Sequence, residues 1–510
     1  MQKKSICHSA FLDLRSLITL AVLVGGLALA LFVKANPRPL VHEPLRRSQG
    51  PPFTPAGTPQ EAWVATYDGP GNVVDEAKAI AVDSSGNVYV TGRSGGGPST
   101  DFDYATAKYN SAGQEQWVAR YNGPENLADE AKAIAVDNSG NVYVTGTSGT
   151  AYATIKYNSA GQQQWVMRYN PDNIFSEASA ITLDSSGNVY VTGFASTSAS
   201  AEDYATIKYN TGGQEQWVAR YSGPGATSAD YAAAIAVDSS GNVYVTGDSE
   251  GDYTTVKYNS AGQQQWAARY DDPVHQVDGA FAVAVDNLGY VYVTGSSFGS
   301  GGSYDYATIK YNASGQEEWT ARYDGPANGQ DFAAAIALDN SGNVYVTGSS
   351  EGSDTSDDYA TIKYDTTGQQ QWVARYNGPG NALDVAYAIV LDHSGGVYVT
   401  GYSEGDGTAD DYATIKYNSA GEEEWIARYN GADNMFDDAE AIAIDSFGNV
   451  YVTGESSTDY ATIKYAQGGT PTPTPTATAT STPTATPTPT ATPRVTPRPR
   501  STPHSRPTPP

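Results

Sequence analysis

The chain has 510 residues, and 56 acidic against 29 basic residues give it a net charge of −27. This balance excludes a nucleic-acid partner, which would need a basic surface. The one cysteine, Cys7, lies ahead of an apolar N-terminal run, which excludes an internal disulfide and leaves no thiol chemistry after it.

The N-terminus has the pattern of a secretory signal. Lys3, Lys4 and Arg15 flank the start of an apolar run over 17–33, and a small-residue pattern then predicts cleavage after Ala35. An uncleaved anchor is the alternative, because the run is at the short limit for a membrane span. We favour a signal peptide over 1–35 and a Pro-rich linker over 36–61. The protein is then secreted or displayed at the cell surface, and its mature chain has no membrane span.

A unit of about 50 residues recurs eight times between Trp63 and Tyr465, and each copy holds one of the eight tryptophans. Every copy contains four short runs rich in small, β-branched and aromatic residues, which is typical of a propeller blade. In one copy the strands are expected at Ala133–Val136, Asn141–Thr145, Tyr152–Tyr157 and Gln164–Tyr169.

The links between these strands are of two kinds. The first-to-second link is Asp-x-x-Gly, as at 83–86, and the third-to-fourth link is usually Asn-x-x-Gly, as at 110–113. These links are constant in length, whereas the other two vary between copies. In an up-and-down blade the constant links share one end of the disc, the uniform face, and the others share the opposite end, the variable face. Binding is expected on the variable face.

The segments Ala79–Gly92 and Ala234–Gly247 both read A-I-A-V-D-S-S-G-N-V-Y-V-T-G. This core resembles the SBBP-type β-propeller repeats of bacteria and is similar to NHL-type blades. The resemblance implies that Ala79–Val82 and its equivalents are inner strands, and that the tryptophan strands are outermost. It also implies seven blades, but the chain has eight equivalent units.

The predicted fold is therefore all-β: a single eight-bladed propeller of four-stranded antiparallel blades over 62–465. The first run, Ala62–Tyr67, is an outer strand, and the last, Tyr460–Tyr465, is a third strand. We expect the first run to complete the last blade and close the ring, which removes a free edge. Residues 466–510 are almost all Pro, Thr, Ala, Ser and Arg, which predicts a disordered stalk that carries glycans in one interpretation.

An aspartate stands eight residues before each turn Asp in seven of the eight copies, with Ser176 in the eighth. The seven are Asp75, Asp129, Asp230, Asp278, Asp331, Asp384 and Asp437. Each is expected at the start of an inner strand, near the channel mouth on the variable face. Converging carboxylates suit calcium, but a role repeated in every blade favours capping of the local turn. Capping is our preferred interpretation, with calcium the one cofactor considered.

The longer variable links add further acids, namely Asp101, Asp103, Glu202, Asp203, Asp357, Asp358, Asp410 and Asp411. The repeated lysines and arginines, such as Lys108 and Arg120, are expected to pack their stems and pair with acids between blades. One tryptophan per blade indicates packing between blades more than sugar stacking.

Catalysis has little support in the sequence. His275 and His393 occupy unrelated positions in the repeats, and no triad, metal motif or phosphate loop is evident. We therefore expect no catalytic residues and no enzyme, but a monomeric binding or structural module that contacts an unknown extracellular protein or polysaccharide through its acidic variable face. A calcium-dependent carbohydrate or wall-polymer binder and an extracellular hydrolase or lyase are the alternatives.

Overall fold

A computed structural model describes residues 59–467, apart from 72, 97–100, 199–200, 226–228, 273–274 and 354. The predicted signal peptide, most of the linker and nearly all of the stalk lie outside the described residues. None of the described residues belongs to a helix with the length and hydropathy needed to cross a membrane.

The described chain forms 32 β-strands. The first is β1 (Gln60–Tyr67). Blade 1 holds β2 (Asp75–Val82), β3 (Val88–Gly95), β4 (Phe102–Tyr109) and β5 (Glu115–Tyr121); blade 2 holds β6 (Asp129–Val136), β7 (Val142–Ser148), β8 (Ala151–Tyr157) and β9 (Gln163–Tyr169). Blade 3 holds β10 (Ser176–Leu183), β11 (Val189–Ser196), β12 (Glu202–Tyr209) and β13 (Glu215–Tyr221); blade 4 holds β14 (Asp230–Val237), β15 (Val243–Ser249), β16 (Asp252–Tyr258) and β17 (Gln264–Tyr270).

The second half repeats the same order. Blade 5 holds β18 (Asp278–Val285), β19 (Val291–Phe298), β20 (Tyr304–Tyr311) and β21 (Glu317–Tyr323); blade 6 holds β22 (Asp331–Leu338), β23 (Val344–Glu351), β24 (Asp357–Tyr364) and β25 (Gln370–Tyr376). Blade 7 holds β26 (Asp384–Leu391), β27 (Val397–Glu404), β28 (Asp410–Tyr417) and β29 (Glu423–Tyr429); blade 8 holds β30 (Asp437–Ile444), β31 (Val450–Ser456) and β32 (Asp459–Ala466).

The eight sheets close into one ring, which confirms the predicted architecture. Every sheet is four-stranded and antiparallel, and the first strand of each blade packs beside the first strand of the next, including β30 beside β2. The first strands are therefore innermost, as the resemblance implied. Blade 8 takes its fourth strand from the start of the chain, since β1 pairs with β32 from Gln60–Ala466 to Tyr67–Tyr460.

Inner strands begin earlier than the sequence pattern predicts. The apolar run at Ala133–Val136 is only the second half of β6, which starts at Asp129. A bulge between Ala131 and Ala133 shifts the register against β7, and it recurs in every inner strand. The bulge interrupts the alternation that marks a strand in sequence, because it adds an unpaired residue.

Aromatic side chains fill the seams between blades. At the seam of blades 8 and 1, Tyr451 and Tyr460 pack against Val88, Val90 and Tyr109, all at most 2 % exposed. The Tyr460 hydroxyl donates to the Ala105 carbonyl of the next blade at 3.2 Å. Because both faces of each blade are covered in this way, its middle strands are buried almost throughout.

The repeated tryptophans also join neighbouring blades. Trp63 of blade 8 donates its Nε1–H to the Ser111 carbonyl of blade 1 at 3.2 Å and stacks over the turn that ends at Gly113. Six further tryptophans repeat this contact. The packing role predicted for the tryptophans is therefore the one they have.

The turns of the uniform face are alike in every blade. In the first, Asp83 accepts hydrogen bonds from the backbone N–H groups of Ser85 and Asn87 and from the Tyr89 hydroxyl, and Gly86 has a φ of 75°. Burial acts to raise the pKa of Asp83, but these hydrogen bonds and the Asn87 amide lower it overall. The carboxylates of the uniform face are thus occupied within their own turns.

Candidate functional site on the variable face

The seven aspartates singled out in the sequence each begin an inner strand and are fully buried. We call them the cap aspartates. Each accepts a hydrogen bond from a backbone N–H in the link that leads to its strand. The donors in chain order are Gly69 (2.6 Å), Gly123 (2.6 Å), Gly223 (2.8 Å), Asp272 (2.9 Å), Gly325 (2.8 Å), Gly378 (2.7 Å) and Gly431 (2.7 Å). These bonds fasten the variable-face links to the ring.

Burial raises the pKa of every cap aspartate, because desolvation outweighs the hydrogen bonds that favour the charged form. The pKa reaches about 6 for Asp278, Asp331 and Asp384. Serine replaces the cap in blade 3, at Ser176, and is equally buried.

The structure groups three cap aspartates with other acids at the seams between blades. Within the described residues, three sets of three carboxylates have oxygens within 4.8 Å of one another, and each set includes one cap aspartate. The sets are Asp68, Asp75 and Asp459; Asp252, Asp271 and Asp278; and Asp305, Asp324 and Asp331. Each set joins a cap, an acid from the link before it and an acid from the third strand of the preceding blade.

Six of the eight acids predicted in the longer links fall into two populations. Asp103, Asp203, Asp358 and Asp411 pair with the repeated arginine of their own blade, as Asp103 does with Arg120 at 3.0 Å. This corrects the prediction that the arginines pair with acids between blades; the antiparallel register puts both partners in one sheet. The repeated lysines differ again, since Lys108 donates to the Ser159 carbonyl and lies over the Tyr89 ring.

The second population has carboxylates opposite carboxylates. Glu351 pairs with Asp357 across the hairpin of blade 6, Glu404 with Asp410 in blade 7, and Asp438 with Glu455 in blade 8. Cross-strand partners point to the same face of a sheet, and like charges in this arrangement are destabilising. These six residues of three consecutive blades form what we call the acidic arc.

The carboxylates of the acidic arc are poorly satisfied. Asp357 is 7 % exposed, and no hydrogen bond to its carboxylate offsets the rise in its pKa. Oδ1 of Asp438 is buried without a partner among the described residues. Burial first, and then neighbouring acids, raise the pKa of Asp410 to about 6, of Asp357 and Asp438 to about 7, and of Glu455 to about 8.

The Tyr402 phenol lies close to acids from all three blades of the acidic arc. Tyr402 is buried against Tyr387, with ring centroids 5.7 Å apart. Burial and Tyr387 raise the pKa of Tyr402, and Asp438, Asp410 and Asp357 raise it further. Acids from blades 6, 7 and 8 are therefore close to one side chain, although each belongs to a different sheet.

The neighbouring blades carry balanced charges at the same positions. Lys78 of blade 1 contacts Glu76 at 3.0 Å and Glu440 of blade 8 at 3.1 Å, and Arg93 pairs with Glu76. Lys132 of blade 2 contacts Glu177 of blade 3 at 2.5 Å. The Lys78 pKa is raised because Glu440 and Glu76 together outweigh its burial. Acids in blades 1 to 3 therefore form ion pairs, whereas none of the acidic arc does so with a described residue. Lys78 and Arg93 lie near enough to Glu455 to lower its pKa in part, but burial and the neighbouring acids outweigh them.

Aromatic residues occupy several of the equivalent positions in blades 3 to 6, although Asp248 of blade 4 stands at the Glu455 position and burial raises its pKa to about 6. Phe194 of blade 3 packs edge-on against Tyr231 of blade 4 at 4.9 Å, and Tyr304 of blade 5 packs on Phe332 of blade 6 at 5.7 Å. The variable face is therefore asymmetric: blades 6 to 8 carry the acidic arc, ion pairs occur in blades 1 to 3, and aromatic contacts lie at the seams of blades 3–4 and 5–6.

Five segments of the chain match the family model described as the SBBP β-propeller repeat, over 67–98, 116–150, 216–254, 319–354 and 424–461. The chain is a β-propeller that contains SBBP repeats. Regulatory protein FlaEY of Caulobacter vibrioides is 30 % identical over 117 residues, which cover 20 % of the SBBP propeller chain and only 12 % of FlaEY.

Three solved structures that are similar to the SBBP propeller have low sequence identity to it. The WD40 β-propeller domain of Doa1 is 11 % identical with a TM-score of 0.40, and the alignment covers 79 % of this chain and 96 % of that one. The polysaccharide lyase Uly1 is 9 % identical with a TM-score of 0.40, over 76 % and 89 % of the two chains. A protein from Lactobacillus plantarum is 14 % identical with a TM-score of 0.41, over 59 % and 84 %.

The two histidines of the SBBP propeller do not form a site together. His275 lies in a variable-face link with its side chain 77 % exposed, and its Nδ1 contacts Asp271 at 2.5 Å, which raises the His275 pKa. His393 lies in a turn of the uniform face, between Asp392 and Ser394.

Proposed function

We propose that the protein is an extracytoplasmic, non-enzymatic binding module that holds a positively charged ligand on the acidic arc. The main support is the run of three carboxylate pairs in consecutive blades, in which the buried Asp357 carboxylate has no hydrogen bond that lowers its pKa. The signal-like N-terminus and the Pro/Thr-rich C-terminus support a location outside the cytoplasm.

A cationic ligand follows from the energetics of the acidic arc. Opposed buried carboxylates destabilise the folded protein unless a proton or a cation compensates them. A bound ammonium or guanidinium group would replace that penalty with charge-assisted hydrogen bonds. The net charge of −27 adds long-range attraction for such a ligand. A basic segment of an extracellular protein or an amino-sugar polymer has the required chemistry.

The proposal is tested by calorimetric titration of the full chain with deca-lysine at low salt. We expect Glu351→Gln/Glu404→Gln/Asp438→Asn to weaken binding at least about tenfold, since each lost ion pair of this kind is worth on the order of 1 kcal/mol. The matched control Glu115→Gln/Glu215→Gln/Glu317→Gln removes the same net charge from exposed positions of three outer strands. Equal weakening in both variants, or no binding to the wild type, would refute the proposal.

Acid–base catalysis is a second candidate, because Asp438 and Glu455 face each other with pKa values of about 7 and 8. A carboxyl group that keeps its proton near neutral pH can act as a general acid. An extracellular hydrolase or lyase would then cleave polysaccharides at this pair. Incubation with neutral and anionic polysaccharides, assayed for new reducing ends and unsaturated products, should show activity that Glu455→Gln abolishes; no product from any polymer would dismiss this candidate.

A further inference from the structure

The outer strands carry one position where blade 8 differs from all other blades. Seven outer strands have arginine there, namely Arg120, Arg168, Arg220, Arg269, Arg322, Arg375 and Arg428. The eighth, β1, has Thr66. The register is the same, since Arg120 pairs with Ala105 in blade 1 and Thr66 pairs with Ala461 in blade 8.

In the other blades the guanidinium group lies in a constant set of acceptors. In blade 5, Nη1 of Arg322 donates to the Tyr270 hydroxyl at 3.0 Å and to Oγ of Ser297 at 2.7 Å. Its Nη2 donates to the Ser297 carbonyl at 2.7 Å and to Asp305 at 2.9 Å. Blades 6 and 7 repeat all four bonds.

Blade 8 keeps these acceptors without an arginine. Tyr429, Ser456 and Asp459 occupy the positions of Tyr270, Ser297 and Asp305, and Ser456 is the cross-strand partner of Asp459. Asp459 forms no ion pair with any described residue and accepts a hydrogen bond from the neighbouring Thr458 hydroxyl at 3.3 Å. Tyr429 and Ser456 hydrogen-bond to each other, and Ser456 is 8 % exposed where Ser297 is fully buried. Thr66 is too short to reach the acceptors that an arginine side chain reaches.

Two further carboxylates lie close to Asp459 at this seam. Asp459 belongs to the set that includes Asp68 and Asp75, with oxygens within 4.8 Å. The two comparable sets each contain an acid that an arginine neutralises, Asp252 with Arg269 at 2.6 Å and Asp305 with Arg322 at 2.9 Å. Burial, and then Asp68 and Asp75, raise the Asp459 pKa.

We infer that the seam slot of Tyr429, Ser456 and Asp459 binds a guanidinium group supplied from outside the ring. A guanidinium matches two oxygens of one serine and a carboxylate through its planar fork, which a spherical ammonium or metal ion does not. The source is either an arginine of a partner or an arginine of this chain outside residues 59–467; both present the same chemistry. The inference does not depend on ligand binding at the acidic arc.

The test measures thermal unfolding of the full chain with L-argininamide as the probe. We expect a saturable rise in melting temperature for the wild type, roughly 3 °C at about 100-fold above the dissociation constant. Thr66→Arg should melt higher than the wild type and lose the response, because its own side chain fills the slot. Thr66→Ala leaves the slot open and should keep the response.

A second pair of variants separates the sources. Arg120→Thr creates an equivalent slot in blade 1, so its response to L-argininamide should exceed that of the wild type. The occupant is assigned to the chain itself if a response appears only after the arginines outside residues 59–467 and beyond the predicted signal peptide are changed to glutamine. These are Arg38, Arg46, Arg47, Arg494, Arg498, Arg500 and Arg506. The inference is overturned if neither the wild type nor the arginine-to-glutamine variant responds to L-argininamide, or if Thr66→Arg responds like the wild type. It is also overturned if only calcium chloride, and not L-argininamide, raises the melting temperature and EDTA reverses that rise.

Discussion

At the scale of single residues, the pKa values of aspartates are shifted in opposite directions on the two faces of the disc. A turn aspartate such as Asp83 accepts several hydrogen bonds, which lower its pKa. Asp357 and Asp438 are buried beside other acids, and their pKa values are raised. The uniform face therefore favours charged carboxylates, whereas the acidic arc favours a proton or a cation.

This contrast predicts the pH dependence of stability. Acids whose pKa is raised by folding bind protons in the folded state that the unfolded chain, with pKa values of about 4, has already released. Stability should therefore increase as the pH falls from about 8 to about 5. Below about 4 the turn aspartates become protonated, and their contribution is lost. Urea unfolding at fixed pH values measures the profile.

Glu455 is the best single residue for testing this pH dependence, because folding raises its pKa to about 8. Glu455→Gln should stabilise the protein at pH 8.5 by about 1–2 kcal/mol, allowing for screening by solvent, and flatten the profile. The control Glu215→Gln lies on an exposed part of an outer strand and should leave the profile unchanged. An unchanged profile for Glu455→Gln would contradict the assigned environment.

At the scale of elements, the outer strands stabilise the seams through their tryptophans. Trp266 donates to the Ala313 carbonyl of the next blade at 3.1 Å. Trp425 is 6 % exposed, but its indole N–H donates to no described residue, and blade 8 takes its fourth strand from the other end of the chain.

The two tryptophans form a matched pair for mutation. Trp266→Phe loses a hydrogen bond and part of its packing, and should cost about 2 kcal/mol. Trp425→Phe should cost about 1 kcal/mol less, because only packing is lost. Equilibrium unfolding in urea compares the two, and an equal cost would show that the indole hydrogen bond contributes nothing.

Sequence patterns predicted the elements well where the repeats are constant. Strand number, turn positions and the tryptophan seams all follow from periodicity and turn chemistry. The inner strands begin early because a bulge at residues such as Lys132 breaks the alternation. The cap aspartates stood out because they recur, and the structure gives each a local backbone partner.

Asp357 and Asp410 were among the acids predicted on the variable face, but Glu351, Glu404, Asp438 and Glu455 were missed because they lie at positions that do not recur. The second residue of the inner strands reads Glu76, Glu130, Glu177, Tyr231, Gly279, Phe332, Val385 and Asp438 in turn, between nearly constant neighbours. This variation between copies is the sequence signal that marks these positions as functional candidates. Which charges meet across a seam depends on the order of the blades in the ring, which brings Lys78 to within 3.1 Å of Glu440 across 362 residues of sequence.

At the scale of the whole molecule, the closed ring depends on the pairing of β1 with β32. This pairing places Thr66 beside Asp459 in one sheet and sets blade 8 next to blade 1. It also removes the free edges that an open stack of blades would expose. The seam slot and the order of blades around the variable face both follow from that closure.

A disulfide across the seam tests closure most directly. Gln60 and Ala466 are cross-strand partners at the end of the pairing and are both partly exposed. In a Cys7→Ser background, Gln60→Cys/Ala466→Cys should oxidise to an intramolecular disulfide, seen as a mass loss of two hydrogens and faster migration on a non-reducing gel. Gln60→Cys/Glu215→Cys, whose second cysteine lies on blade 3, should stay reduced. Failure of the first pair to form a disulfide within the monomer would contradict the closed ring of eight blades.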